Sequence, residues 1–133
     1  MSQVLLDSSI LIPALRAGGG KVEKQQVTAL LASGRAALTE SILFELWRGA
    51  KPGLEQDGVR QLARDLPVLQ TTPAVWEKCF DLARRCRSKG FLIPMGDLLV
   101  AACAWEYRVV VEQGDTHFEQ IQSVLTEAKI LFP

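Results

Sequence analysis

Four carboxylates of the 133-residue chain stand where chemistry could be done: Asp7, Glu45, Asp97 and Asp115. Asp7 follows directly on the apolar run Val4-Leu5-Leu6, and Asp115 follows Val109-Val110-Val111 after Glu112-Gln113-Gly114. Asp97 heads the segment Asp97-Leu98-Leu99-Val100-Ala101-Ala102, and Glu45 lies within Ser41-Ile42-Leu43-Phe44-Glu45-Leu46-Trp47. Three of them have an ordinary structural reading: Asp7 and Asp97 suit helix N-caps, and Asp115 suits a Gly-Asp turn. Glu45 is harder to dismiss, because a carboxylate among large apolar side chains is costly unless it has a partner or faces a cleft. Together the four suit a hard divalent cation, since Mg²⁺ and Mn²⁺ prefer carboxylate oxygen and keep several waters. A cation held there would reverse the repulsion between carboxylate and phosphate, polarise a phosphoryl group and lower the pKa of a bound water. The chemistry expected is phosphodiester hydrolysis by in-line attack. Glu40 rivals Glu45, but five residues put the two about 140° apart on a helix, and Glu40 suits the first turn, where the dipole favours an acid.

The elements that must position these acids alternate between strand and helix. Val4 to Leu6 reads as a short strand, and Asp7-Ser8-Ser9 can cap a helix to about Arg16, broken by Gly18-Gly19-Gly20. Lys21 to Ser33 reads as a second helix with Val22, Leu30 and Leu31 inward and Gly34 at its end. Ala36 to Leu38 is a second strand, after which Thr39 can cap a helix through Gly49. Beyond the Pro52-Gly53 turn come a helix from about Leu54 to Leu66 and a strand from Pro67 to Leu69. Thr72-Pro73 starts a helix to Lys89, with Trp76, Cys79, Phe80 and Ala83 at helical spacing and the Trp76–Phe80 pair expected in the core. Gly96-Asp97 opens a helix to about Tyr107, Val109 to Val111 is a fourth strand, Gly114 to Phe118 is a turn or short helix, and Ile130 to Phe132 is a candidate fifth strand. Such alternation predicts an α/β fold with a mainly parallel central sheet of four or five short strands flanked by helices. In such a sheet the cleft lies beyond the carboxyl ends of the strands, where Asp7 and Asp115 fall.

Composition narrows the classes. A chain of 133 residues suits one domain with its own core. No apolar run is long enough to span a membrane, and the N-terminus lacks the pattern of a signal peptide, so a cytoplasmic location is expected. Cys79, Cys86 and Cys103 are odd in number and form no Cys-x-x-Cys, which fits buried, reduced thiols. The 15 acidic and 15 basic residues balance, which argues against a simple nucleic-acid coating protein but not against a nuclease whose cation supplies positive charge.

With those residues in place, the sequence resembles the PIN-domain family, and more narrowly the VapC toxins of bacterial toxin–antitoxin pairs. Leu5-Leu6-Asp7-Ser8-Ser9-Ile10-Leu11-Ile12 resembles the family's opening strand and first acid. Phe44-Glu45-Leu46-Trp47-Arg48-Gly49 resembles its Glu-Leu-x-x-Gly helix, Asp97-Leu98-Leu99-Val100-Ala101-Ala102 its Asp-x-x-Ile-Ala-Ala segment, and Asp115-Thr116-His117-Phe118 its closing Asp-x-x-Phe motif. Each motif alone is weak; the four in order, over nearly the whole chain, are fairly specific. The resemblance implies a single PIN-like domain over residues 1–133 and a Mg²⁺- or Mn²⁺-dependent endoribonuclease acting on RNA. It further implies Asp7, Glu45, Asp97 and Asp115 as catalytic and metal-binding residues, a homodimer, and a small antitoxin that covers the cleft. Ser8, Gln113 and His117 are expected to support the ligands. Gln113 stands where the family often has Ser or Thr, and its amide can still hydrogen-bond a carboxylate.

His117, the one histidine, is expected near the cleft and not as the general base, a role assigned to cation-activated water. Arg84, Arg85 and Arg87 form the densest basic run; they could contact RNA phosphates, or simply close a helix whose dipole favours cations. Trp47 and Trp105 suit either a partner surface or the core. The competing function is a non-catalytic PIN scaffold that binds RNA or a protein. A phosphoryl-transfer enzyme on Asp7 is disfavoured, because Ser9 stands where a second Asp would be needed, and no phosphate-binding glycine loop is present.

Overall fold

A computed structural model describes residues 2–16 and 21–133. The glycine break expected at Gly18-Gly19-Gly20 lies outside the described residues. The element order is β1 (Val4–Leu6), α1 (Ser8–Leu15), α2 (Lys21–Ala32), β2 (Ala36–Thr39), α3 (Glu40–Gly49), α4 (Leu54–Asp65), β3 (Val68–Leu69), α5 (Pro73–Ser88), α6 (Met95–Tyr107), β4 (Val110–Glu112) and α7 (His117–Val124). The four strands form one sheet in the order β3-β2-β1-β4, and every pair is parallel. Register is set by Val4 against Ala36 and Val110, Leu6 against Glu112, and Leu38 against Val68. The chain therefore winds outward from β1 through β2 to β3, then returns to add β4 on the other side of β1. That reversal makes the carboxyl ends of β1 and β4 the topological switch point of the sheet, the place where open parallel sheets bind ligands.

The burial pattern explains why these short segments become strands. All residues of β1 and β2 are buried, as parallel strands covered on both faces require. Helix α6 is buried from Leu98 to Ala104 without interruption. A helix apolar on every side belongs in an interior, and its small residues Ala101, Ala102, Cys103 and Ala104 let α3, α5, α7 and β4 close around it. The helix starts are built locally: Thr39 accepts the Ile42 amide and Thr72 accepts the Val75 amide. Gly34, at φ 72°, ends α2 in the left-handed region that suits glycine. The three cysteines are buried and unbridged. Among the described residues, no helix is long and apolar enough to cross a membrane.

Several expectations are corrected. Val22 and Leu31 are 63% and 39% exposed; the buried face of α2 is Val27 and Leu30. Val22 lies about 140° from Val27 and cannot share its face, whereas Leu31, about 40° from Val27 but about 100° from Leu30, lies at the edge of that face and stays partly exposed. Trp76 and Phe80 are 37% and 59% exposed, with ring centroids 6.0 Å apart. The core stripe of α5 is Val75, Cys79, Leu82 and Cys86, so Trp76, Phe80 and the exposed Ala83 lie one residue off it. No fifth strand forms from Ile130–Phe132: a single bridge joins Leu131 to Val111. In compensation α7 is a full helix to Val124, not a short turn. Trp47 and Trp105 are half-buried against the core, covered by Arg60 and by Lys78 and Arg85 respectively.

Candidate metal centre

Asp7 ends β1 and caps α1. Its backbone amide donates to the Glu112 carbonyl of β4 (3.1 Å), so the two strand ends are tied at the acid itself. The carboxylate is only 2% exposed. Its Oδ2 accepts the Ser9 amide (3.1 Å) and the Ser9 hydroxyl (2.5 Å). Ser9 Oγ in turn accepts the Gly114 amide at 2.9 Å. One serine thus links the first acid to the turn that carries the last. Burial pushes the Asp7 carboxyl above its usual range; the Ser9 bonds oppose this, and the charges of Asp115 and Glu45 add to it.

Asp115 lies in the β4–α7 turn. Its amide donates to Gln113 Oε1 (2.8 Å), and its Oδ1 accepts the His117 amide (2.8 Å). Asp97 is in the first turn of α6, which is capped by Pro94 and not by Asp97. Asp97 pairs instead with His117, whose Nδ1 is hydrogen-bonded to Asp97 Oδ2 across 2.7 Å. His117 Nδ1 is also 3.6 Å from Asp115 Oδ1. The Asp97 carboxyl is pushed up to about 6, first by burial and then by Asp115, against the His117 bond. Among the described residues, Asp97, Asp115 and His117 offer one ligand atom each within 4.8 Å of one another.

Glu45, on α3, is held by a bond from Ser8 Oγ to its Oε2 at 2.8 Å. It stands beside Asp7, whose carboxyl is raised in part by the charges of Asp115 and Glu45. Glu40 is exposed and turned elsewhere, accepting the Thr71 amide at 2.6 Å. The tightest set is therefore Asp97, Asp115 and His117, with Asp7 and Glu45 adjoining it, Ser8 and Ser9 bracing the carboxylates of Glu45 and Asp7, and Gln113 holding the Asp115 backbone amide rather than a carboxylate. Among the described residues, no Lys or Arg is paired with any of the four acids; all the ion pairs formed by Lys and Arg lie elsewhere. Several converging carboxylates, two of them pushed upward in pKa, are an arrangement that a divalent cation would relieve, and the donor set of carboxylate oxygens and one imidazole fits Mg²⁺ or Mn²⁺.

Two contributors escaped the sequence reading. Ser9 was seen as part of a cap, though its spacing of two from an aspartate is the signal for a side-chain-to-backbone turn. Gly96 has no signal in a single sequence; a Cβ there would stand 2.1 Å from Glu45 Oε1. Of the basic run, Arg85 is committed within the protein. It bonds Asp81, Glu127 and the Val124 carbonyl and lies over Trp105. Arg84 pairs with Asp81 while remaining 70% exposed, and Arg87 is exposed.

Comparison with known proteins agrees with this geometry. Among solved structures, the fold is similar to VapBC2 from Rickettsia felis bound to a DNA fragment from their promoter (TM-score 0.74, 18% identity, 97% of this chain and 96% of that one). It is similar also to a toxin–antitoxin complex from Klebsiella pneumoniae (TM-score 0.74, 21% identity, 96% and 100%). A third is VapC20 of Mycobacterium tuberculosis, described as a Sarcin-Ricin loop cleaving toxin (TM-score 0.68, 15% identity, 95% and 98%). At these identities the likeness is one of fold. No curated protein matches the sequence. The family model for the PIN domain matches residues 4–124, a span that contains all four acids, and the chain belongs to that family.

Proposed function

We propose that this protein is a divalent-metal-dependent endoribonuclease, the toxin of a toxin–antitoxin pair acting in the cytoplasm. The observation that carries the reading is the cluster of Asp97, Asp115 and His117, with Asp7 and Glu45 adjoining it and no Lys or Arg partner for the acids among the described residues, at the point where the strand order reverses. Such a point is where open parallel sheets bind ligands. The similar folds of toxin–antitoxin complexes and of a toxin that cleaves the Sarcin-Ricin loop support it.

Asp7, Asp97, Asp115 and Glu45 would hold the cation, with His117 able to add a nitrogen ligand. When bound, Mg²⁺ or Mn²⁺ supplies Lewis acidity toward a phosphoryl oxygen and a nearby water of lowered pKa. The chain's own residues do the positioning. Ser9 fixes Asp7 and the Gly114 turn together, Ser8 fixes Glu45, and Gln113 fixes the backbone of Asp115. His117 holds a proton between its Nδ1 and Asp97. Arg84 and Arg87, both exposed, are the residues assigned to contact phosphates, which any RNA presents regardless of sequence; Arg85 is retained by its internal partners.

Two exposed apolar surfaces suit the partners. The groove between α1, α3 and α4, lined by Ile12, Leu15, Leu46, Leu54 and Val59, is assigned to the antitoxin. The Trp76–Phe80 pair on α5 is assigned to the second copy of a homodimer.

The test is cleavage of structured RNA by purified protein freed of any partner, with Mg²⁺ or Mn²⁺, with EDTA, and with Asp7→Asn run alongside. Discrete products that require both the metal and Asp7 are expected. Products that persist in EDTA or in the variant would refute the metal mechanism.

A further inference from the structure

We propose that Gly96 is a positioning residue for Glu45, its missing Cβ being what makes room for that carboxylate at the cation site; this deepens the metal reading above and rests on it. A Cβ at Gly96 would lie 2.1 Å from Glu45 Oε1 and 3.3 Å from its Cδ. Both are inside ordinary contact distance, and the first is not tolerable between any two such atoms. No other described glycine is crowded in this way; at Gly114 the nearest atom is 3.5 Å away, and at Gly49 and Gly58 nothing lies within 4 Å.

The backbone does not ask for glycine at this place. Gly96 is the second residue of α6, and among the described residues the glycines with positive φ are Gly34, Gly53 and Gly90. In a right-handed helical turn alanine is the better helix former. Local propensity therefore opposes the residue found, and the contact it serves is across the site, on α3. The Glu45 carboxylate is caught from two sides: Ser8 at the start of α1 holds Oε2, and α6 offers Oε1 a surface without a side chain. The α3 backbone cannot retreat to make room, because Ile42 and Leu46 are 1% and 3% exposed and seated in the core. With alanine at 96, the carboxylate must rotate away from α6, and so from Asp97 one residue along.

The experiment is calorimetric titration of Mn²⁺ and thermal unfolding without metal, on the wild type, Gly96→Ala, Glu45→Asp and the double variant. Gly96→Ala is expected to weaken Mn²⁺ binding by roughly ten-fold or more, while its metal-free Tm stays level or rises. Glu45→Asp withdraws the carboxylate by one methylene, so adding Gly96→Ala in that background should change affinity by less than about two-fold. Equal losses in both backgrounds, or Gly96→Ala binding within about two-fold of wild type, would overturn the proposal. A lowered Tm in Gly96→Ala that Glu45→Asp restores supports the same collision; a lowered Tm that it does not restore counts against it. Wild type that binds no Mn²⁺ refutes the metal reading itself, and with it this role for Gly96, and is read before any variant is compared.

Discussion

Asp81 and Glu127 flank one guanidinium. Arg85 Nη2 is 2.8 Å from Asp81 and 2.5 Å from Glu127, and Nη1 also reaches Glu127 and the Val124 carbonyl. Both carboxyls are held below their usual range, Glu127 at about 2, chiefly by the bonds from Arg85. Asp7 and Asp97 are pushed the other way, chiefly by burial, with neighbouring carboxylates adding to the effect. The residue types are the same and the electrostatic states are opposite. At the Arg85 cluster the chain supplies its own cation and the result is a clamp between α5 and the segment after α7. At the strand ends it supplies carboxylates without a Lys or Arg partner among the described residues, and on the function proposed above the cation would come from solution. A site destined for a ligand is one where folding leaves a charge problem unsolved.

The largest expected effect tests that contrast directly. Asp97→Asn should fold, yet lose more than about 100-fold in RNA cleavage, beyond the upper range for residues that merely support a ligand. It should also lose the rise in Tm that Mn²⁺ gives the wild type, roughly 10 °C at a hundred times Kd for a chain of this size. Cleavage or metal stabilisation surviving intact in the variant would put the cation elsewhere.

A second effect concerns pH. Asp97 has a folded pKa of about 6 against 3.8 for the ordinary group, so between those values the folded state binds more protons than the unfolded one. Stability of the metal-free protein is therefore fully present below about pH 4 as far as this group is concerned, and is lost as pH rises through about 6, by up to about 3 kcal/mol. Asp97→Asn should flatten that decline. Denaturant midpoints across pH 4 to 7 measure it, and an unchanged slope in the variant would assign the decline to other groups. The Arg85 cluster has the opposite sign, its depressed carboxyls contributing stability that is lost only as pH falls toward the acid range.

The smallest effect is at the clamp. Arg85→Ala should cost on the order of 1 kcal/mol, from partly exposed ion pairs and the face of Trp105, and leave Mn²⁺ affinity unchanged. A fall in metal affinity would show that the two clusters are coupled and blunt the contrast drawn between them.

Much of this arrangement was readable from the residues because it is local. The uniform apolar runs of β1 and β2, the caps at Thr39 and Thr72, and Asp7 at a strand end all follow from periodicity and capping chemistry. Glu45 could be singled out because a carboxylate between Phe44 and Leu46 needs a reason. What could not be read depends on which way a helix is turned. On α5 the apolar residues Val75, Trp76, Cys79, Phe80 and Leu82 fill two adjacent faces, and only the packing against α6 decides that Trp76 and Phe80 face out. On α2 the same choice fell to Val27 over Val22. Ile130–Phe132 has a strand's composition, but a single bridge to β4 does not make it one. The space at Gly96 is set by a side chain fifty-one residues away, and nothing in the neighbouring sequence points to it.

The bond between the Gly114 amide and Ser9 spans 105 residues of chain. Its consequence is one of timing during synthesis. A ribosome that has released β1, α3 and the start of α6 has already released Asp7, Glu45 and Asp97, yet Asp115 and His117 join them only when β4 pairs with β1 and brings the Gly114 turn across. The cluster is thus completed by β4 and the turn after it, and a chain truncated before β4 lacks both Asp115 and His117. On the function proposed above, activity would arrive only once β4 has paired.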